Sequence, residues 1–72
     1  MTMERRPIRR GGIRSAGYDR ANRELEVELD SGALIRHKNV GEEVARRFLS
    51  SAAPGSYYRD NIEEEYPGKR ER

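Results

Sequence analysis

His37 is the only histidine in this chain of 72 residues, which contains no cysteine. Acid–base catalysis or metal binding of the usual kind would therefore depend on one side chain. A metal site needs further ligands, and catalysis needs a positioned partner in a pocket, for which so small a domain offers little room. We expect His37 to be a packed residue on the inner face of a strand. The prediction is a non-enzymatic domain with no cofactor, no metal and no small-molecule substrate.

Three other groups of residues could carry chemistry, and each has a simpler interpretation. Ser50 and Ser51 lack the Gly-x-Ser-x-Gly context of a nucleophile elbow. Gly11-Gly12 is not followed by the Lys-Ser or Lys-Thr of a phosphate-binding loop. The acidic run at residues 63–65 is typical of a solvated charged surface. None of these groups predicts an active site.

Arginine is concentrated in the first part of the chain. Guanidinium groups neutralise phosphates and stack on bases, so a basic segment of this kind can follow a nucleic-acid backbone. A solubilising tail without any partner explains the same residues about equally well. The candidate nucleic-acid-binding arginines are Arg5, Arg6, Arg9, Arg10 and Arg14, with Arg20 and Arg23 in the adjoining turn.

Four tyrosines, Tyr18, Tyr57, Tyr58 and Tyr66, could be stacking platforms for unpaired bases or parts of the core. Packing is the favoured interpretation, because the chain has few other large apolar residues. Tyr57 and Tyr58 are adjacent, so both cannot point inward from one helix. We expect Tyr57 to be the exposed one, and it joins the arginines as a candidate.

Composition predicts one small domain with charged ends. Apolar residues make up 33% of the chain and charged residues 39%, yet the net charge is only +2 and the apolar residues recur with clear periodicity. We expect a flexible basic arm at 1–11, a folded domain at 12–67 and a disordered tail at 68–72. No apolar stretch is long enough for a membrane span or a signal peptide. The expected location is the cytoplasm.

The clearest predicted element is a β-hairpin over residues 24–38. Apolar and glutamate residues alternate over 24–29, as in a strand with one buried face. Asp30-Ser31-Gly32 fits a three-residue loop with glycine in the left-handed conformation. The resulting register pairs Val27 with Ile35, Leu25 with His37, Glu26 with Arg36 and Glu24 with Lys38.

A strand before this hairpin and helices after it complete the predicted fold. The strand runs from Ile13 to Tyr18, with an irregularity just after Ile13, and a turn follows at residues 19–22. The main helix follows Gly41 and ends before Pro54. The expected fold is α+β: a three-stranded antiparallel meander, one main helix and a short second helix.

The surfaces of the two helices can be predicted in more detail. In the main helix, Glu42 and Glu43 precede Arg46 and Arg47 by four residues, the spacing of intrahelical ion pairs. Its apolar line should face the sheet, and Ser56 should cap the second helix, which could extend to Tyr66. The apolar line consists of Val44, Phe48 and Ala52, with Leu49 beside it.

Several landmarks occur in an order that resembles the KTSC domain, a module named for its occurrence at the C-terminus of some lysyl-tRNA synthetases. They are Gly17-Tyr18-Asp19, Leu25-x-Val27-x-Leu29, Gly32, Val40, Gly55-Ser56-Tyr57-Tyr58, Ile62 and Tyr66-Pro67. The resemblance covers about residues 13–67, although Ile35 and His37 stand where the family typically has Tyr-x-Tyr. It implies a domain that also occurs alone in small bacterial proteins and is suspected of binding RNA. A protein–protein or self-association module, using the sheet edge or a helix face, is the alternative.

Overall fold

The computed structural model describes residues 5–66 and 68–71. Five strands form one antiparallel sheet in the order β1-β2-β3-β4-β5. The strands are β1 (Arg5–Arg10), β2 (Ile13–Asp19), β3 (Glu24–Leu29), β4 (Leu34–His37) and β5 (Gly68–Arg70). Between β4 and β5 the chain forms α1 (Glu42–Leu49), α2 (Pro54–Tyr57) and a π-helical segment (Tyr58–Glu63). The α+β class is confirmed, but the predicted meander of three strands is two strands short.

The predicted hairpin between β3 and β4 is confirmed. Gly32 has a φ of 95°, and the Leu29 amide donates to the Ala33 carbonyl at 2.8 Å, which closes a three-residue loop. Val27 lies opposite Ile35, Leu25 opposite His37 and Glu26 opposite Arg36. The fourth predicted pair, Glu24 with Lys38, does not form. β4 ends at His37, and the Glu24 carboxylate lies 4.0 Å from the Arg36 guanidinium instead.

β2 has the predicted irregularity after Ile13. Its pairing with β3 shifts register between Ile13 and Ser15, as in a β-bulge. The turn that follows β2 is held by Asp19, whose carboxylate accepts from the Asn22 side chain at 2.7 Å and from the Ala21 amide at 3.1 Å. The hydrogen bond from the Asn22 side chain is the main cause that lowers the pKa of Asp19. The turn therefore uses the local hydrogen bonding expected of aspartate.

β1 lies where we predicted a flexible arm, and this is a correction. Arg5–Arg10 pairs with β2, with a register shift between Pro7 and Arg10. Gly11 and Gly12 both have positive φ, 59° and 85°, which is the requirement of a two-residue hairpin turn. The glycine pair therefore joins two strands instead of separating an arm from the domain. Residues 1–4 of the predicted arm lie outside the described residues.

β5 replaces part of the predicted disordered tail, a second correction. Gly68 lies opposite His37 so closely that a Cβ there would be 2.6 Å from the imidazole Cε1. The Glu71 amide donates to the Leu34 carbonyl at 2.6 Å. These contacts with β4 hold the segment as a strand, although its own sequence has no strand pattern. Pro67, expected to stop the second helix, and Arg72 lie outside the described residues.

α1 begins after Gly41 as predicted, but it ends earlier than predicted and its buried face differs. Ala45 and Phe48 are buried, Val44 and Leu49 are partly buried, and Ala52 is exposed. The helix ends at Leu49, so Ala52 lies beyond the predicted apolar line. The helix packs on the sheet through one buried cluster, whose members are Ile13, Ala16, Leu25, Val27, Val40, Ala45, Phe48, Tyr58 and Ile62.

The second helical region begins three residues earlier than predicted, with Ala53 and not Ser56 at the N-cap. Pro54 takes the first turn of α2, where a fixed φ and a missing N–H have little cost. Ser56 therefore lies within α2 and does not cap it. The π-helical segment buries Tyr58 and Ile62, which places both in the core. Within the described residues, no helix is both long and apolar enough to cross a membrane.

Candidate functional site

Three arginines project from β1 as exposed side chains: Arg6, Arg9 and Arg10. Arg9 lies in the irregular part of β1 and has a φ of 53°. The Arg10 guanidinium donates to the Ala52 carbonyl at 3.4 Å, which brings it toward the end of α1. Within residues 5–66 and 68–71, none of the three forms an ion pair with a carboxylate. Arg5 begins the strand, but its side chain lies outside the described part.

A pocket of about 220 Å³ lies between β1, β2 and α1. Arg6 contributes from the edge strand, and Tyr18 from β2. The helix contributes both charged and apolar groups, which makes the pocket amphipathic. Its lining residues are Arg6, Tyr18, Glu42, Ala45, Arg46, Leu49 and Ser50.

Arg46 lines this pocket without the ion pair that its sequence position predicts. We predicted that it pairs with Glu42 four residues earlier. Glu42 instead forms its ion pair with Arg20 at 3.2 Å, whereas the parallel pair of Glu43 and Arg47 forms at 2.5 Å. The Arg46 guanidinium is therefore exposed at the pocket without a carboxylate partner among the described residues. Sequence spacing alone could not have found this, because the competing arginine comes from a distant turn.

The other candidate arginines have local contacts. Arg14 donates to the Asp30 carbonyl at 3.1 Å, and Arg20 pairs with Glu42. Arg23 has a φ of 56°, and its carbonyl accepts from the Val40 amide at 3.0 Å, so its backbone holds the end of the β2–β3 turn. The structure thus brings Arg6 and Arg46 to one pocket and distributes Arg14, Arg20 and Arg23 over other surfaces.

The tyrosines are mostly packed. Tyr58 is buried, and the Tyr18 hydroxyl donates to the Val40 carbonyl at 2.5 Å. Burial raises the pKa of Tyr18 above its ordinary value. Tyr57 is only half-buried, as expected for the more exposed member of the adjacent pair, but its ring lies 6.4 Å from that of Phe48. Tyr57 is therefore the more exposed residue of the pair, although its ring packs against Phe48.

His37 is buried between two hydrogen-bonding partners. Its Nδ1 lies 3.1 Å from the Tyr66 carbonyl oxygen, and its Nε2 lies 2.7 Å from the Tyr58 hydroxyl. A carbonyl only accepts, so Nδ1 carries the proton in the neutral ring and Nε2 accepts from Tyr58. With 2% of its surface exposed, His37 has both nitrogens engaged inside the core. This placement confirms the expected packing of His37 on the inner face of the sheet.

Burial sets the charge state of this pair. It lowers the pKa of His37 from its ordinary value of 6.5, against the opposing effects of the Tyr66 carbonyl and the Glu63 carboxylate. Burial also raises the pKa of Tyr58 to about 12, with Glu63 adding to the rise. Both residues are therefore neutral at pH 7.

The free energy of unfolding should consequently fall as the pH is lowered from 7 to 5. The unfolded chain has the higher histidine pKa, so it binds more protons in this range and gains stability relative to the folded chain. Urea denaturation at pH 7, 6 and 5 measures the effect. The His37→Gln variant, which has no imidazole, should lose most of the dependence. Equal midpoints for the wild type at pH 7 and pH 5 would contradict the assigned shift.

The face of the sheet away from the helices is held by ion pairs. Arg36 Nη2 lies 2.9 Å from Glu26, and Arg36 also approaches Glu24 at 4.0 Å and Glu71 at 3.5 Å. Glu28 accepts from the Ser15 hydroxyl at 2.9 Å. The glutamates of β3 are thus engaged within the sheet, which reduces the acidic character that their sequence suggests.

No group of three His, Cys, Asp or Glu side chains that could hold a metal ion occurs in the part of the chain that the structure describes. His37 is already bonded on both nitrogens, and the β3 carboxylates contact Arg36, Ser15 and Arg14. Arg6 and Arg46 place two guanidinium groups at the pocket, and guanidinium groups bind carboxylates and phosphates.

The protein is an α+β domain in which the helices pack on one face of a five-stranded antiparallel sheet. The KTSC domain family model matches residues 11–66. This chain belongs to the KTSC domain family, as the resemblance indicated.

Two relatives illustrate the match. A protein of Stutzerimonas stutzeri (strain A1501), described only as uncharacterized, is 38% identical over 56 residues, which are 78% of this chain and 79% of the relative. The crystal structure of a KTSC domain protein from Yersinia pestis superposes with a TM-score of 0.88 at 27% identity. That superposition covers 96% of this chain and 97% of the other, so the two domains share their architecture nearly end to end.

Proposed function

We propose that this domain is a small accessory module that binds RNA through the exposed arginines of β1. The observation that carries the proposal is that Arg6, Arg9 and Arg10 lie on one ordered strand, exposed and without ion pairs among the described residues. Ordered guanidinium groups lose less conformational entropy on binding phosphates than those of a flexible tail. Binding of this kind is electrostatic and weakly selective for sequence, and a cytoplasmic location fits it.

The acidic residues of β3 oppose RNA binding less than their number suggests. Glu26 contacts Arg36, and Glu28 contacts Ser15 and Arg14, so their charge is partly neutralised within the protein. The exposed arginines of β1 are more accessible to a phosphate than these glutamates are. Tyr57 has less weight than the arginines in this proposal, because its ring packs against Phe48.

Strand addition at a sheet edge, the basis of the protein–protein alternative, is disfavoured by both edges. β1 contains Pro7 and an irregularity, and it is rich in arginine. β5 has only three residues, all of them exposed. Proline, bulges, short length and positive charge are devices that prevent edge pairing. We therefore do not propose an edge-paired complex.

Salt-dependent titration tests RNA binding. Fluorescence anisotropy with a labelled single-stranded RNA, repeated between 50 and 200 mM salt, gives the slope of log K against log salt. Each phosphate contact contributes about −0.7 to this slope for single strands, so replacing Arg6, Arg9 and Arg10 with glutamine should flatten it by about 2. Substitution is preferable to deletion of residues 1–10, because deletion would remove β1 from the sheet.

A control with the same loss of charge separates local contacts from net charge. Lys38, Arg47 and Arg59 are exposed and belong to segments other than β1, so their replacement by glutamine should leave the slope nearly unchanged. Equal effects of the two triple variants would contradict a specific role for β1. Absence of measurable affinity for the wild type at 50 mM salt would refute the RNA proposal itself.

A further inference from the structure

The pocket beside β1 has an aromatic and apolar surface that binding of phosphates to the β1 arginines does not require. Its walls combine two guanidinium groups, from Arg6 and Arg46, with the ring of Tyr18 and the apolar side chains of Ala45 and Leu49. A site that only attracted phosphates would need no apolar surface. An aromatic ring and aliphatic groups next to two cations suit a ligand that is part flat and apolar, part anionic.

We propose that this pocket holds one nucleotide of the bound RNA, with its phosphate on Arg6 and Arg46 and its base against Tyr18 and Leu49. This inference rests on the proposed function. The size of the pocket agrees with it: about 220 Å³ is below the range of drug-sized sites, roughly 300–1,000 Å³, and suits a single base.

Arg46 is free for this role because of a contact made elsewhere. Glu42, its predicted partner, pairs with Arg20 from the β2–β3 turn, at 3.2 Å. The pairing holds the one carboxylate of the pocket lining and neutralises part of its charge. The pocket lining therefore has two guanidinium groups without a carboxylate partner among the described residues and one carboxylate that is already paired. The net positive charge favours binding of a phosphate.

The Tyr18 hydroxyl does not compete for the ligand. It donates to the Val40 carbonyl at 2.5 Å, which fixes the ring against the sheet. Ser50 is also engaged, since its hydroxyl donates to the Arg46 carbonyl at 2.7 Å. Recognition in the pocket should consequently depend on charge and ring contact more than on hydrogen bonds to base edges, which agrees with weak sequence selectivity.

Neighbouring arginines on α1 provide a matched test. Arg46→Gln removes a pocket guanidinium, whereas Arg47→Gln removes the same charge from the pair with Glu43 on the exposed surface. Both side chains are exposed, so both variants should fold. We expect Arg46→Gln to weaken binding of a short single-stranded RNA about tenfold, the loss of one charge-assisted contact, and Arg47→Gln to change it less than about twofold.

Amide chemical shifts locate the ligand directly. Titration of the ¹⁵N-labelled protein with the RNA, with 5′-AMP and with inorganic phosphate should shift Ala45, Leu49 and Ser50 for the first two ligands. Inorganic phosphate should leave the Tyr18 ring signals in place, because only a base contacts the ring.

The outcomes separate the two proposals. RNA binding with unshifted pocket amides, or equal loss in the two arginine variants, would overturn the nucleotide pocket and leave RNA binding by β1 intact. Shifts with 5′-AMP but no RNA binding would overturn the proposed function and support the ligand chemistry of the pocket. Identical shifts with phosphate and 5′-AMP would overturn the base contact.

Discussion

Replacing Gly55 with alanine is expected to lower the free energy of unfolding by about 2–3 kcal/mol, the cost of overpacking a rigid contact. A Cβ at Gly55 would lie 2.5 Å from the Gly11 carbonyl oxygen and 2.8 Å from the Gly11 Cα. Both are backbone atoms of the β1–β2 turn, so no change of rotamer can relieve the overlap. The two glycines let the start of α2 touch that turn.

Helix propensity predicts the opposite sign, which makes the experiment decisive. Inside a helix alanine is favoured over glycine by about 1 kcal/mol. Ser56→Ala, at the next and exposed position of α2, reports the propensity effect without the contact. Urea denaturation followed by far-ultraviolet circular dichroism gives both values. A Gly55→Ala variant as stable as the wild type would show that the turn and α2 can separate at little cost.

Phe48→Ala should bring the domain close to unfolding. Phe48 has 0% of its surface exposed, and its ring centroid lies 6.0 Å from that of Tyr58 and 6.4 Å from that of Tyr57. Deletion of such a ring costs about 3–5 kcal/mol in transfer and cavity terms. A domain of this length has roughly 4–11 kcal/mol of total stability at the usual value per residue. The loss is therefore comparable to the whole.

Phe48→Leu is the control for this substitution. Leucine keeps most of the apolar volume and should cost less than about 1.5 kcal/mol. Thermal unfolding distinguishes the two variants, since each kcal/mol lowers the Tm of so small a domain by about 4–8 °C. A Phe48→Ala variant that melts within a few degrees of the wild type would mean that α1 is not the main anchor of the helices on the sheet.

The central hairpin was predictable because two patterns in the sequence agree on it. Leu25 and Val27 alternate with glutamates, and the loop length independently aligns Glu26 with Arg36. The bulge after Ile13 was likewise visible as a break in apolar spacing. Where one face is buried and the turn is fixed, local sequence is sufficient to determine register.

The outer strands could not be found in the same way. Lys69 and Arg70 have no apolar alternation, and β5 depends on the contact of Gly68 with His37 and on the hydrogen bond of Glu71 to Leu34. These are tertiary contacts, which no local window contains. For β1 a usable signal existed: two adjacent glycines are typical of a tight hairpin turn. Its arginines concealed a strand because exposed edge strands need little apolar surface.

The candidate site was partly predictable. Arg6, Arg9 and Arg10 were selected as charged residues, and the structure adds that they share a strand. Arg46 was assigned to an intrahelical pair because spacing along a helix was the only geometry available. Its release depends on Arg20 reaching Glu42, a contact across 22 positions of the chain. A pocket formed by elements far apart in the chain cannot be predicted from the spacing of residues within one element.

The strand order has a consequence for how the chain folds. From β1 to β4 every strand pairs with its sequence neighbour across a short turn, so little loop-closure entropy is lost and this part can form rapidly. β5 follows α1, α2 and the π-helical segment in the chain, so it can pair with β4 only after those segments have folded back over the sheet. It should be the last strand to join and the first to detach in local opening. The same transient detachment would remove Gly68 from the His37 ring, so the burial of this histidine depends on a strand of only three residues.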